Sequence, residues 1–133
     1  MSGPGAALEA AIRLALGADP DTRIFRNNVG KGWQGRLERR TPFSVTLSSP
    51  RLIGFGLAEG SGDFIAVRRV VVTPEMVGQT IGVFGSIEVK SGSGRTDPAQ
   101  RAWLRTMRAF GARAGVARSV DDARAILDGE LVG

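Results

Sequence analysis

Leu8, Ala11, Ile12, Ala15 and Leu16 recur at the spacing of one helical face, and Gly17 followed by Ala-Asp-Pro-Asp ends the run. The chain therefore opens with an amphipathic helix. Residues 23–40 are basic, rich in glycine and without a clear period, which predicts a loop or irregular hairpin, while 43–47 and 51–56 read as short strands. A Gly/Ser cluster then marks a turn, after which Asp63, Ile65 and Val67 alternate with Phe64 and Ala66 as the two faces of a strand. Residues 72–79 break that strand, and 80–90 predict another, in which Glu88 and Lys90 share one face and Ile87 and Val89 the other.

Asp97 followed by Pro98 is a helix start. That helix runs through Phe110, with Ala99, Trp103, Met107 and Phe110 as its buried face and Arg101, Arg105 and Arg108 as a basic stripe. Residues 112–117 predict a short buried strand, and Ser119 opens a last helix with Asp122 completing a capping-box pattern. The order of elements predicts an α/β (α+β) class, a central mixed sheet flanked by helices, in a single domain over residues 1–133.

Composition narrows the chemistry. The 133 residues contain neither Cys nor His, which excludes disulfides, thiolate nucleophiles, Ser-His-Asp triads and histidine or thiolate zinc sites. Catalysis has to use carboxylates, Lys, Arg, hydroxyls and backbone, with a hard metal ion on oxygen ligands as the remaining option. A net charge of +5 favours a polyanionic partner, nucleic acid before membrane. No apolar stretch is long enough to span a bilayer, and Glu9 and Arg13 interrupt the N-terminal one, which also lacks a basic leader segment, so a cytoplasmic protein is expected. Only Lys31 and Lys90 among 18 basic residues are lysine, which hints at a titratable, compact amine at position 90, since arginine cannot release its proton.

Two glycine-rich readings fail. A dinucleotide fingerprint begun at Gly54 and Gly56 needs glycine where Glu59 stands, and the lysine of a phosphate-cradling loop should follow glycine, whereas Lys90 follows Val89. Asp63, Glu88 and Lys90 form a stronger constellation. The residues between Asp63 and Glu88 suffice for one strand, a connection and a second strand, so two carboxylates can converge on Mg²⁺ or Mn²⁺ with Lys90 beside them. The plainer readings are a solvent-side pair for Glu88 and Lys90 and a turn role for Asp63. Glu9 precedes Arg13 by one helical turn, an ion-pair spacing.

The segments at 25–30 (FRNNVG), 56–67 (GLAEGSGDFIAV), 86–95 (SIEVKSGSGR), 97–104 (DPAQRAWL) and 111–127 (GARAGVARSVDDARAIL) together resemble the VRR-NUC family, virus-type replication-repair nucleases of the PD-(D/E)XK superfamily. The resemblance implies a restriction-endonuclease-like core and Mg²⁺- or Mn²⁺-dependent hydrolysis of DNA phosphodiesters. It implies Asp63 and Glu88 as metal ligands with Glu9 and the Val89 carbonyl beside them, Lys90 as the catalytic lysine and Gln100 as the glutamine of the following helix. Gly62 stands where the superfamily is named for proline. Arg26, Lys31, Arg95, Arg101 and Arg105 are the expected contacts to nucleic acid, and the Gly/Ser loop at 91–94 lets DNA approach closely. Small stand-alone members of the family, often from phages, resemble homodimeric resolvases of four-way junctions, so a homodimer in a bacterial or phage-infected cell is the expected setting. A non-catalytic DNA-binding scaffold would be marked by loss of Asp63, Glu88 or Lys90, and all three are present. A nuclease on other DNA or RNA structures is the third reading.

Overall fold

The computed structural model describes residues 3–130. Its elements are α1 (Pro4–Gly17), β1 (Thr22–Arg26), β2 (Gly30–Arg40), β3 (Val45–Phe55), β4 (Phe64–Arg68), a short 3₁₀ turn (Pro74–Met76), β5 (Gly85–Val89), α2 (Pro98–Ala109), β6 (Arg113–Ala117) and α3 (Val120–Leu127). The class is mixed α+β, as expected. Among the described residues the strands are distributed over three two-stranded sheets: β1 with β4, β2 with β3, and β5 with β6. The chain clusters into two compact units, one from the N-terminal segment up to Arg23 together with Val67 onward, the other Ile24–Ala66.

The first unit holds the core. β5 and β6 run parallel, with Glu88 opposite Val116 and Val89 opposite Ala117. Ala114, Val116 and Ala117 of β6 are buried with Leu104 and Met107 of α2 and Ile126 of α3. Such a fully buried strand reads as a continuous apolar run, which is why 112–117 was legible as a strand. Met107 and Ile126 are sealed almost completely, and each contributes roughly 2 kcal/mol by leaving water.

Of the face expected to be buried in α2 only Met107 is: Ala99 is exposed, Trp103 and Phe110 are half-buried, Leu104 takes a buried place, and the helix ends at Ala109 with Phe110 as its C-cap. α1 has no buried residue and leaves Leu8 and Ile12 exposed. Residues 80–84, expected as part of β5, make no strand; the ladder begins only at Gly85, opposite Arg113.

The second unit is dominated by the antiparallel β2–β3 hairpin, two strands of 11 residues each. The sequence pattern suggested an irregular segment here because Gly30, Gly32 and Gly35 weaken a strand. The structure supplies the reason for the first two glycines. Gly30 and Gly32 face the ring of Phe55 across the ladder, and a Cβ at Gly30 would lie 2.9 Å from that ring. At Gly35 a Cβ would come within 2.8 Å of the Ser48 carbonyl oxygen, beside the irregular pairing around Ser49 and Pro50. Asp63 stands immediately before β4 rather than within it.

Asp19 organises the entry to β1. Its carboxylate accepts from the Asp21 backbone N–H at 2.9 Å and from the Thr22 hydroxyl at 3.1 Å, and pairs with Arg68 at 2.8 Å. The Asp21 N–H first, then the Thr22 hydroxyl and Arg68, hold this carboxyl below its ordinary value of 3.8 against a smaller opposing effect of desolvation. A depressed folded-state value means the stabilisation is present above the unfolded value and is lost as pH falls through the folded one. Asp19→Asn is therefore expected to flatten the acid limb of a stability–pH curve below about pH 4, measured by urea denaturation at a series of pH values.

Gly56 adopts φ +82°, and a Cβ there would meet the Asn28 carbonyl oxygen at 2.6 Å and the Val29 Cα at 2.7 Å. Gly78 has a similar φ of +88° with nothing near it. Gly78→Ala is expected to cost about 1 kcal/mol through the left-handed backbone alone, and Gly56→Ala at least about 2 kcal/mol more through the added backbone clash. Thermal denaturation of the two variants separates the terms.

Candidate active site

β5 places Ser86, Glu88 and Lys90 on one side, half-covered by α2, and turns Ile87 and Val89 the other way. This alternation matches the sequence expectation. It comes with an inversion of burial: Val89 is 73% exposed, whereas the Glu88 and Lys90 side chains are only 31% and 22% exposed. The charged side is the covered side of the strand.

What covers it is the first turn of α2. Asp97 caps that helix, its carboxylate accepting the Gln100 N–H at 2.8 Å. The Gln100 side-chain oxygen returns the bond, accepting the Asp97 N–H at 3.0 Å. With its oxygen committed, the amide has its nitrogen turned outward, and Gln100 Nε2 donates to Glu88 Oε1 at 2.8 Å. Lys90 Nζ approaches the same oxygen at 3.4 Å. Glu88 Oε2 takes no hydrogen bond among the described residues. Ser86, Glu88, Asp97, Gln100 and Trp103 line a pocket of ≈ 290 Å³. Trp103 Nε1 donates to Ser86 Oγ at 2.8 Å, which ties α2 to β5 one helical turn beyond Gln100.

Lys90 lies one residue past the strand, yet its backbone N–H donates to the Ala117 oxygen at 3.1 Å, so it remains in the ladder. The Gly/Ser loop that follows is held by Arg118, whose guanidinium donates to Gly92 O at 2.9 Å and Gly94 O at 2.7 Å. Asp122 accepts the Arg118 N–H at 2.9 Å while Ser119 caps α3 through the Asp122 N–H at 3.0 Å. The capping pattern expected at Ser119 is thus present, with the Asp122 carboxylate reaching one residue further back. Sequence reasoning missed Arg118; its place directly after a buried strand, opposite the loop after Lys90, was the available signal.

The expected basic contacts fall into three places. Arg95, Arg101 and Arg105, joined by Arg108 and Arg118, line a groove of ≈ 590 Å³ with Thr96, Leu104 and Val116. Arg101 donates to the Thr96 carbonyl and Arg108 to the Ala114 carbonyl at 2.8 Å, so part of this arginine set is already oriented. Arg26 of β1 stacks over Phe64 at 5.2 Å, and Lys31 lies exposed on β2. Glu9 is half-buried on α1.

Asp63 belongs to the second unit, exposed at the end of a turn built around Asn27. The Asn27 side-chain amide donates to Ser61 Oγ at 2.7 Å and Gly62 O at 2.8 Å, and its oxygen accepts the Leu57 N–H at 3.0 Å. The Asn27 backbone N–H donates to Asp63 O at 2.8 Å. One asparagine therefore sets the backbone that carries Asp63, a role the sequence did not single out.

The donors on this chain are carboxylate and carbonyl oxygens, with Glu88 Oε2 unengaged, and that set suits a hard divalent ion. Among the described residues no cluster of three or more acidic side chains forms a cage by itself. No helix among them is long and apolar enough to cross a membrane.

No curated protein and no solved structure gives a match to this chain. The model of the VRR-NUC domain matches residues 48–121, more than half of the 133, a stretch that takes in Asp63, Glu88, Lys90 and Gln100. The acidic and lysine constellation read from the residues thus lies inside the matched region, and the chain belongs to the VRR-NUC family, the virus-type replication-repair nucleases.

Proposed function

We propose that this nuclease is a Mg²⁺- or Mn²⁺-dependent DNA endonuclease selective for branched substrates such as four-way junctions, working as a homodimer. The observation that carries the reading is the arrangement at Glu88, where one carboxylate oxygen receives both Gln100 and Lys90 and the other is left for a ligand. A surface ion pair on an edge strand needs no such third residue, and Gln100 is itself fixed by the helix cap.

Glu88 would be a ligand of the ion, and Asp63, Glu9 and the Val89 carbonyl are the further oxygen donors that the family resemblance implies. Bound there, the ion supplies Lewis-acid polarisation of the phosphoryl group and a more acidic water. Lys90 contributes a compact cation that orients the attacking water or offsets charge developing on the phosphate. Gln100 keeps the Glu88 carboxylate in one rotamer, so its free oxygen has a defined direction. Arg95, Arg101 and Arg105, with Arg108 and Arg118, offer the groove in which a phosphate backbone can lie. The exposed Leu8 and Ile12 of α1 support self-association, and two-fold symmetry would set two sites on opposed strands of a symmetric junction.

Purified protein is expected to cut a four-way junction in Mg²⁺ or Mn²⁺, more readily than linear duplex or flap DNA, and to cut nothing in EDTA. Lys90→Ala and Glu88→Gln should each lose at least about 100-fold in rate. Metal-independent cutting, or undiminished cutting by Lys90→Ala, overturns the mechanism. Gln100→Ala should lose about 10- to 100-fold in activity and about 1 kcal/mol in stability from the broken reciprocal cap, read by cleavage kinetics and thermal denaturation on one preparation. Light scattering with junction DNA bound is expected to show two chains per junction; a single chain removes the paired-cleavage element.

A further inference from the structure

The β2–β3 hairpin is the part of the molecule with the least internal reason to exist. Each strand has 11 residues and neither contains a buried one. Trp33 is 66% exposed, and Leu37, Val45 and Leu52 are more than half exposed. A two-stranded ribbon by itself is marginal in water, so an ordered one this open implies something that covers it.

Its charge indicates what. Residues 30–55 carry Lys31, Arg36, Arg39, Arg40 and Arg51 against the single acid Glu38, which amounts to +4 of the chain's net +5. Arg51 is tied to Gln34 at 2.7 Å and Arg36 only loosely to Glu38 at 3.9 Å. The side chains of Lys31, Arg39 and Arg40 make no hydrogen bond or ion pair among the described residues.

The tip is built rather than loose. Thr41 Oγ1 accepts the N–H groups of Phe43 at 3.2 Å and Ser44 at 3.0 Å, and Thr41 N–H donates to Ser44 O at 2.9 Å. Pro42 fixes the turn, and Phe43 is held out at its apex, 96% exposed. A large aromatic ring on an ordered apex, flanked by Arg39 and Arg40, is placed to be inserted into something anionic.

We propose that β2–β3 is a DNA-binding arm that lies along a groove of the duplex, its arginines on the phosphates and Phe43 wedged against a base step at the tip. A two-stranded ribbon fits a DNA groove, and apolar wedges at base steps are an established way to unstack and kink a duplex. Eleven residues per strand at about 3.3 Å each reach about 35 Å, close to one turn of B-DNA. The proposal rests on DNA being the partner and is independent of the Glu88 site, because a groove arm adds binding and deformation, not chemistry.

The test is binding of the full chain in EDTA, where no cleavage is needed, to junction DNA and to a duplex carrying 2-aminopurine. Arg39→Ala with Arg40→Ala is expected to weaken binding at least about tenfold and to lower the slope of log affinity against log salt by about 2, while Arg39→Lys with Arg40→Lys restores the slope. Phe43→Ala is expected to abolish the rise in 2-aminopurine fluorescence that marks an unstacked base and to leave the salt slope as it was. An unchanged affinity and slope in the double alanine variant overturns the proposal. So does a change of sedimentation coefficient without DNA in these variants at unchanged salt slope, which would make the ribbon a contact between two copies. Because metal and cleavage are absent throughout, failure here leaves the Glu88 mechanism standing, and inactivity of Lys90→Ala leaves this arm standing.

Discussion

The side-chain amide of Gln100 joins two problems that the chain has to solve together. A helix that starts at Pro98 has backbone N–H groups without helical partners, and Asp97 with Gln100 satisfies two of them reciprocally. A carboxylate half-covered on a strand also needs a donor to stay ordered, and Glu88 obtains it from the nitrogen of the same amide. An amide has one oxygen and one NH₂, so committing the oxygen to the cap decides where the nitrogen points. The direction of Glu88, and with it the position of Lys90 on the shared oxygen, follows from how a helix begins.

The rest of the first unit keeps that geometry in place. Parallel pairing of β5 with β6 aligns Glu88 beside Val116, and the buried apolar run of β6 sits against Met107 of α2 and Ile126 of α3. Because the core is anchored on β6, β5 can turn its charged residues toward α2 without losing the sheet. Arg118 extends the same frame past the strand end by gripping two carbonyls of the Gly/Ser loop, so the segment after Lys90 has a defined course despite two glycines.

The second unit follows a different economy. It has Asn27 at the turn that carries Asp63, and a long ribbon whose exposed side chains are basic or aromatic. Asn27 satisfies three partners with one short side chain, which is how the glycine-rich connection between β3 and β4 keeps a single backbone conformation. In both units, conformational order next to an acidic residue is supplied by a side-chain amide bonded to main chain.

The residues alone determined a good deal: the three helices through period, cap and proline, β6 through its apolar run, and the exclusion of His- and Cys-based chemistry through the lack of both residues. The face shared by Glu88 and Lys90 was also legible, since alternation along a strand is a local property. Which face is covered was not, because an exposed Val89 and a sheltered Glu88 reverse the usual rule and follow from where α2 lands. The hairpin was hidden for a related reason. Gly30 and Gly32 look like breakers until the Phe55 ring, which occupies the space their side chains would fill, is brought across from the other strand. Local order is written in neighbours along the chain, whereas the roles of Gln100, Arg118, Asn27 and these glycines depend on atoms many residues away, which only the folded chain brings within bonding distance.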